Sequence, residues 1–98
     1  MAKLTTVFWR DIPAQVIAKE RRETAKIVLT ERFAEAIDKA AMRAQMAGTD
    51  AYLEQWRREE SRCGQDLQAA VDQAAAALES DFDDARLAAL VSSGGLSD

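Results

Sequence analysis

The sequence predicts an α+β domain, with a three-stranded antiparallel meander followed by about three α-helices. Three observations predict it. Val, Ile, Thr and aromatic residues concentrate in residues 4–29. Apolar residues recur at helical spacing from residue 31 onward. The links between the β-favouring runs are short, which suits strands that pair in order. At 98 residues the chain is read as a single domain, 1–98.

Residues 4–10 form the first predicted strand, through Thr5, Thr6, Val7, Phe8 and Trp9. Both of its faces carry large apolar groups, because Phe8 and Trp9 point opposite ways on a pleated strand. Asp11 and Pro13 break the run, and Pro13 holds Ile12 extended. The second strand covers residues 14–19, with Val16 and Ile17 on opposite faces. The polar turn Glu20-Arg21-Arg22-Glu23 contains no Gly or Asn, so a longer loop is expected rather than a tight two-residue hairpin. The third strand covers residues 24–29.

Thr30 is placed to cap a helix over residues 31–47, with Glu31 in its first turn and Gly48 at its C′ position. Phe33, Ala36, Ile37, Ala40 and Ala44 form its apolar stripe. Thr49 is placed to cap a second helix over residues 50–62, with Tyr52, Leu53 and Trp56 on a narrow apolar face and the charged run RREESR after them. The last helix is expected over residues 66–91. Its apolar register changes near residue 80, which allows a kink or a second helix capped by Ser80 or Asp81. Unbroken, it would span ~39 Å. The Gly- and Ser-rich tail, residues 92–98, is expected to fray.

Charge is unevenly divided. Residues 1–48 hold 9 basic and 6 acidic groups, whereas residues 49–98 hold 4 basic and 11 acidic groups. The overall −4 disfavours nonspecific nucleic-acid binding. The N-terminus lacks the apolar core of a signal peptide, and no run approaches a membrane span. Together with a single cysteine, this leads to the expectation of a cytoplasmic protein without internal disulfides.

The chain contains no His, no paired Cys and no glycine-rich phosphate loop. Triads that need His and the usual zinc and iron–sulfur sites are therefore excluded. The expectation is a protein that is not an enzyme and has no cofactor. Cys63 lies close to Arg57, Arg58 and Arg62 and just before a predicted helix N-terminus, both of which favour a reactive thiolate; an incidental loop thiol is the simpler reading. Glu79, Asp81, Asp83 and Asp84 form an acidic cluster without the calcium-loop pattern, so a solvated helix end is the simpler reading. Lys19, Arg21, Arg22 and Lys26 form a basic turn that is either solvated or holds an anion or nucleic acid. The two-faced first strand points to an interface at Trp9, Arg10, Asp11, Ile12, Pro13 and Gln15, extended by Trp56, with a buried core Trp as the alternative.

The block from Lys3 to Met42, with VFWRDIPAQV as its specific part, resembles a small proteobacterial family known as virulence factor. The resemblance continues in GTDAYLEQWRRE and ARLAALV. It implies a stand-alone cytosolic protein whose gene lies near those for folate- and corrinoid-dependent methyl transfer. That setting implies in turn an accessory role in one-carbon metabolism, with a methyl-transfer protein as partner. Homodimerisation through the same face, or along the last helix, would serve equally well to bury it, and no catalytic residues carry over.

Overall fold

A computed structural model describes residues 2–97. Four antiparallel strands form one sheet: β1 (Ala2–Trp9), β2 (Ile12–Glu20), β3 (Glu23–Val28) and β4 (Trp56–Cys63), in the order β3-β2-β1-β4. Four helices accompany it: α1 (Glu31–Arg43), α2 (Asp50–Glu54), α3 (Leu67–Asp81) and α4 (Asp84–Ser92). The α+β class is as the sequence predicts, with one strand more than the meander and a split last helix.

The fourth strand is the main correction. Residues 56–62 of β4 lie where the sequence predicts a helix over 50–62, and that helix is only the five residues of α2. Arg and Glu favour helices on propensity alone. Here they run instead as a full antiparallel ladder along β1, from Ala2 opposite Cys63 to Trp9 opposite Trp56.

The first two turns are tight. Trp9 pairs with Ile12 across Arg10 and Asp11, and Glu20 pairs with Glu23 across Arg21 and Arg22. Each has an Arg at positive φ, 52° for Arg10 and 54° for Arg21. The sheet's twist thus imposes at an arginine the backbone that Gly or Asn usually supplies. A bulge between Val7 and Phe8 shifts the β1–β2 register and leaves Ala14 unpaired with β1.

The register assigns the two sheet faces, since cross-strand neighbours point the same way. Leu4, Val16, Ala18, Ala25 and Ile27 share the face that carries the core. Helix α3 packs there on β2 and β3 through Leu67, Val71 and Ala75. Helix α1 buries Phe33, Ala36, Ile37, Ala40 and Ala41 against β2 and α4.

Helix ends explain the remaining departures. α1 stops at Arg43 rather than near 47, because Gln45 takes the left-handed position (φ 60°). Its N–H donates to the Met42 carbonyl and the Met46 N–H to that of Ala41, a Schellman closure without glycine. Thr30 is the N-cap of α1, yet its hydroxyl makes no cap hydrogen bond. It donates to Glu79 Oε1 (2.9 Å), and the Thr30 N–H donates to Glu79 Oε2 (2.8 Å). The break between α3 and α4 falls at Phe82. The cap that restarts the helix is Asp83, which accepts from the Arg86 N–H, rather than Ser80 or Asp81.

The tail is tied down rather than frayed. The N–H groups of Gly94 and Gly95 close α4 on the carbonyls of Val91 and Leu90. The Gly95 carbonyl then accepts from the Asp11 N–H (2.8 Å), and the Ser97 N–H donates to Asp11 Oδ2 (2.6 Å). The final residue, Asp98, lies outside the described residues.

Glu79 ties α3 to the start of α1, and also pairs with Arg32 at 3.0 Å. Burial pushes its carboxyl pKa up. The Thr30 N–H, the Thr30 hydroxyl and the Arg32 guanidinium outweigh this and hold it below the ordinary carboxylate range. A lowered folded pKa gives stability that is complete above the unfolded pKa and lost as pH falls through the folded one. Glu79→Gln is therefore expected to lower stability at pH 7 by about 1–3 kcal/mol. It should also flatten the loss of stability that wild type shows below about pH 4.3. Urea unfolding across pH 3–7 checks both; parallel acid limbs would remove Glu79 from the account.

Candidate interaction surface

The surface predicted from the first strand divides in two once it is placed. Trp9 is 0% exposed, and Ile12 and Pro13 are fully buried with it. The Trp9 ring stacks on Tyr52 (centroids 5.5 Å apart), and its indole N–H donates to the Tyr52 carbonyl at 2.9 Å. These three residues belong to the core, because α2 and the C-terminal tail cover the end of the hairpin that the sequence alone leaves bare. Arg10 is engaged as well. Its guanidinium donates to Gln55 Oε1, the Gly94 carbonyl and Met46 Sδ, and lies 5.4 Å from the Trp9 ring centre. Asp11 accepts from Arg57 (3.1 Å) and from the Ser97 N–H. Only Gln15 and Trp56 of the predicted set reach the open side of the sheet.

That open side is built from three cross-strand rows. One runs Thr24, Lys19, Lys3, Arg62. The next runs Lys26, Ile17, Thr5, Glu60, and the third Val28, Gln15, Val7, Arg58. Each strand alternates, so these residues oppose the face that packs on α3. The row ends are exposed, with Val28 at 65%, whereas Thr5 and Val7 at the centre fall to 7% and 8% under their long neighbours. Trp56 follows along β4, 37% exposed and edge-on to Tyr52 at 6.0 Å. Val7, Gln15, Trp56, Arg57 and Arg58 line a shallow depression.

Five cations stand in these rows against one carboxylate: Lys3, Lys19, Lys26, Arg58 and Arg62 against Glu60. Lys3 pairs with Glu60 at 3.5 Å, both well exposed. A chain of net charge −4 thus carries a positive open sheet face. Sequence reasoning finds Lys19 and Lys26 but misses Lys3, Arg58 and Arg62. The signal for the last two is the period-two order Trp56, Arg58, Glu60, Arg62, visible only once the stretch is read as a strand.

The basic turn does not converge on one point. Lys19 and Lys26 lie on the open face, while Arg21 and Arg22 occupy the exposed loop tip beside Glu20, Glu23 and Gln65. The acidic cluster is spent on structure. Glu79 holds Thr30 and Arg32, Asp83 caps α4 and Asp84 lies 3.4 Å from Arg32, whereas Asp81 contributes its backbone carbonyl, which accepts from Arg86. Cys63 is a half-buried free thiol ending β4, and with Leu4, Arg62, Ala70 and Ala74 it lines an open groove. Arg57 is turned to the hairpin, where it donates to the Arg10 carbonyl and packs over Phe8, and it pairs with Glu59. Among the described residues, no cluster of three or more Cys, Asp or Glu side chains is arranged to hold a metal ion, and no helix is long and apolar enough to cross a membrane.

No curated protein and no solved structure gives a significant match to the chain. A family model described as "Virulence factor" matches residues 7–91, from the last three residues of β1, with the buried Trp9, through β2, β3, the β4 edge and α3 to all but the last residue of α4. The chain belongs to the virulence factor family.

Proposed function

We propose that the protein is a nonenzymatic interaction subunit of the cytoplasm that docks an acidic protein surface on the open face of its sheet. The observation that supports this is the set of five cations and one carboxylate arrayed over Thr5, Val7 and Ile17. Such a layout steers an acidic partner and fixes its register more than it adds raw affinity. The resemblance of the chain suggests a corrinoid- or folate-dependent methyl-transfer protein as that partner.

The second reading, an anion- or nucleic-acid-binding module, draws on Lys19, Lys26, Arg21 and Arg22. Single strands are gripped by stacking bases on aromatic rings. The central positions of this face are Thr5, Val7 and Ile17, and Trp56 is its aromatic ring. The charge is therefore better matched to a protein surface than to bases.

Charge reversal tests the docking surface. Lys19→Glu with Lys26→Glu is expected to cut capture of the methyl-transfer partner from lysate by about tenfold or more, through like-charge repulsion. Raising salt to about 0.5 M should weaken wild-type capture in the same direction. Equal retention of one partner by wild type and the double variant would move docking off this face. Salt-sensitive binding of RNA by purified protein would favour the second reading.

A further inference from the structure

We infer that β4 is a homodimer edge, pairing antiparallel with β4 of a second copy so that two sheets join into one of eight strands. This goes beyond the docking proposal and does not depend on it.

β4 is eight residues long, and among the described residues it packs chiefly on β1. Seven of its eight residues are exposed, and neither Pro nor Gly interrupts it. Its ladder with β1 is regular from end to end. The other side of such a strand presents a row of backbone donors and acceptors to any chain that can pair with it. Edge strands are usually protected by breaks, twists or like charges. Here Arg58, Glu60 and Arg62 alternate in sign along the open face, which is compatible with self-pairing.

Symmetry limits the register. In an antiparallel pair related by a two-fold axis perpendicular to the sheet, facing residues share a face and a hydrogen-bonding type. One strand residue must therefore face its own copy. With Glu59 on the axis, Arg58 faces the partner subunit's Glu60 and Glu60 faces the partner subunit's Arg58. Both ion pairs lie on the open face. The same register sets Trp56 opposite the partner subunit's Arg62, a cation–aromatic approach. The two Glu59 side chains meet on the other face, each beside the Arg57 of its own chain. Moving the axis to Arg58 or Glu60 puts two like charges on the open face and loses both Arg58–Glu60 pairs, and moving it to Ser61 pairs only residues 59–63 and leaves Trp56, Arg57 and Arg58 without a facing strand residue. The axis keeps both open faces on the same side, so the dimer presents one continuous platform.

A charge swap tests this on the full chain. Sedimentation velocity of wild type is expected to show a monomer–dimer equilibrium in roughly the 10–100 µM range, since one edge ladder buries less than the ~1,200 Å² of a stable interface. Arg58→Glu alone sets carboxylate against carboxylate in both cross-axis pairs. Glu60→Arg alone sets guanidinium against guanidinium there, so each variant is expected to be monomeric. An equimolar mixture of the two restores opposite charges across the axis and is expected to form a heterodimer. Circular dichroism melts of both variants should match wild type within about 5 °C, because the changes are at exposed sites. A wild-type monomer throughout the range, dimers that persist in both single variants, or a mixture that stays monomeric would each overturn the β4 register.

Discussion

Trp9→Ala is expected to cost about 3–5 kcal/mol, as for a fully buried large aromatic. A domain of this size has a total stability of roughly 5–15 kcal/mol, so the variant should be partly unfolded at 37 °C. The cost has three sources. The ring is wholly buried, it stacks on Tyr52, and its N–H satisfies the Tyr52 carbonyl. Trp9→Phe keeps an aromatic ring but removes the shorter of two hydrogen bonds to that carbonyl, which retains the Gln55 N–H at 3.3 Å, and empties the far half of the indole pocket, so a loss of about 1–2 kcal/mol is expected. Trp56→Ala is the control on the open face. At 37% exposure it should cost about 1 kcal/mol or less. Urea unfolding followed by circular dichroism measures all three. A Trp9→Ala variant as stable as Trp56→Ala would mean that the hairpin end is not held by Trp9.

The contrast between these two tryptophans marks how far local pattern reaches. Phe8 and Trp9 on opposite faces of one strand lead to the expectation that helices wrap both faces or that one face meets another chain. What supplies the cover at Trp9 is Tyr52 of α2 and the Gly94–Gly95 loop, which lie 43 or more positions away in sequence. Periodicity is a local signal and carries no record of such a contact. The first three strands are legible because Val, Ile, Thr and aromatics mark a half-buried pleat. β4 is not, because a strand exposed on both faces has no apolar alternation to mark it, and RREESR reads as helix by propensity. Its strand state comes from the ladder to β1. The change of register near residue 80 is legible and does mark a break, but the caps the sequence suggests, Ser80 or Asp81, fall short of the one used. Packing of Phe82 against Phe33 at 6.1 Å selects Asp83. The open face is half legible for the same reason, since Lys19 and Lys26 lie on strands the pattern identifies and Arg58 and Arg62 on the strand it does not.

Gly95→Ala is expected to cost about 2–5 kcal/mol, in two separable parts. Gly95 sits at φ 92°, where an L side chain is strained by about 1–2 kcal/mol. A Cβ there would also lie 2.8 Å from Trp9 Cζ3 and 3.2 Å from Cε3, too close for a rigid ring in a packed core. The clash forces either the indole or the loop to move. The loop is held by the Asp11 N–H on the Gly95 carbonyl and by the Gly95 N–H on the Leu90 carbonyl, so movement costs hydrogen bonds. Gly48→Ala isolates the first part. Its φ is 76°, yet nothing lies within 4 Å of the added methyl, so only about 1–2 kcal/mol of backbone strain is expected. The second part depends on the benzo ring of Trp9, and Trp9→Phe removes that ring. In the Trp9→Phe background Gly95→Ala should therefore fall to the cost of Gly48→Ala. A double-mutant cycle reads the difference as a favourable coupling of about 1–3 kcal/mol, the range for residues in contact. Strict additivity of the two changes would show that Gly95 is required for its backbone conformation alone and not as the seat of the Trp9 ring.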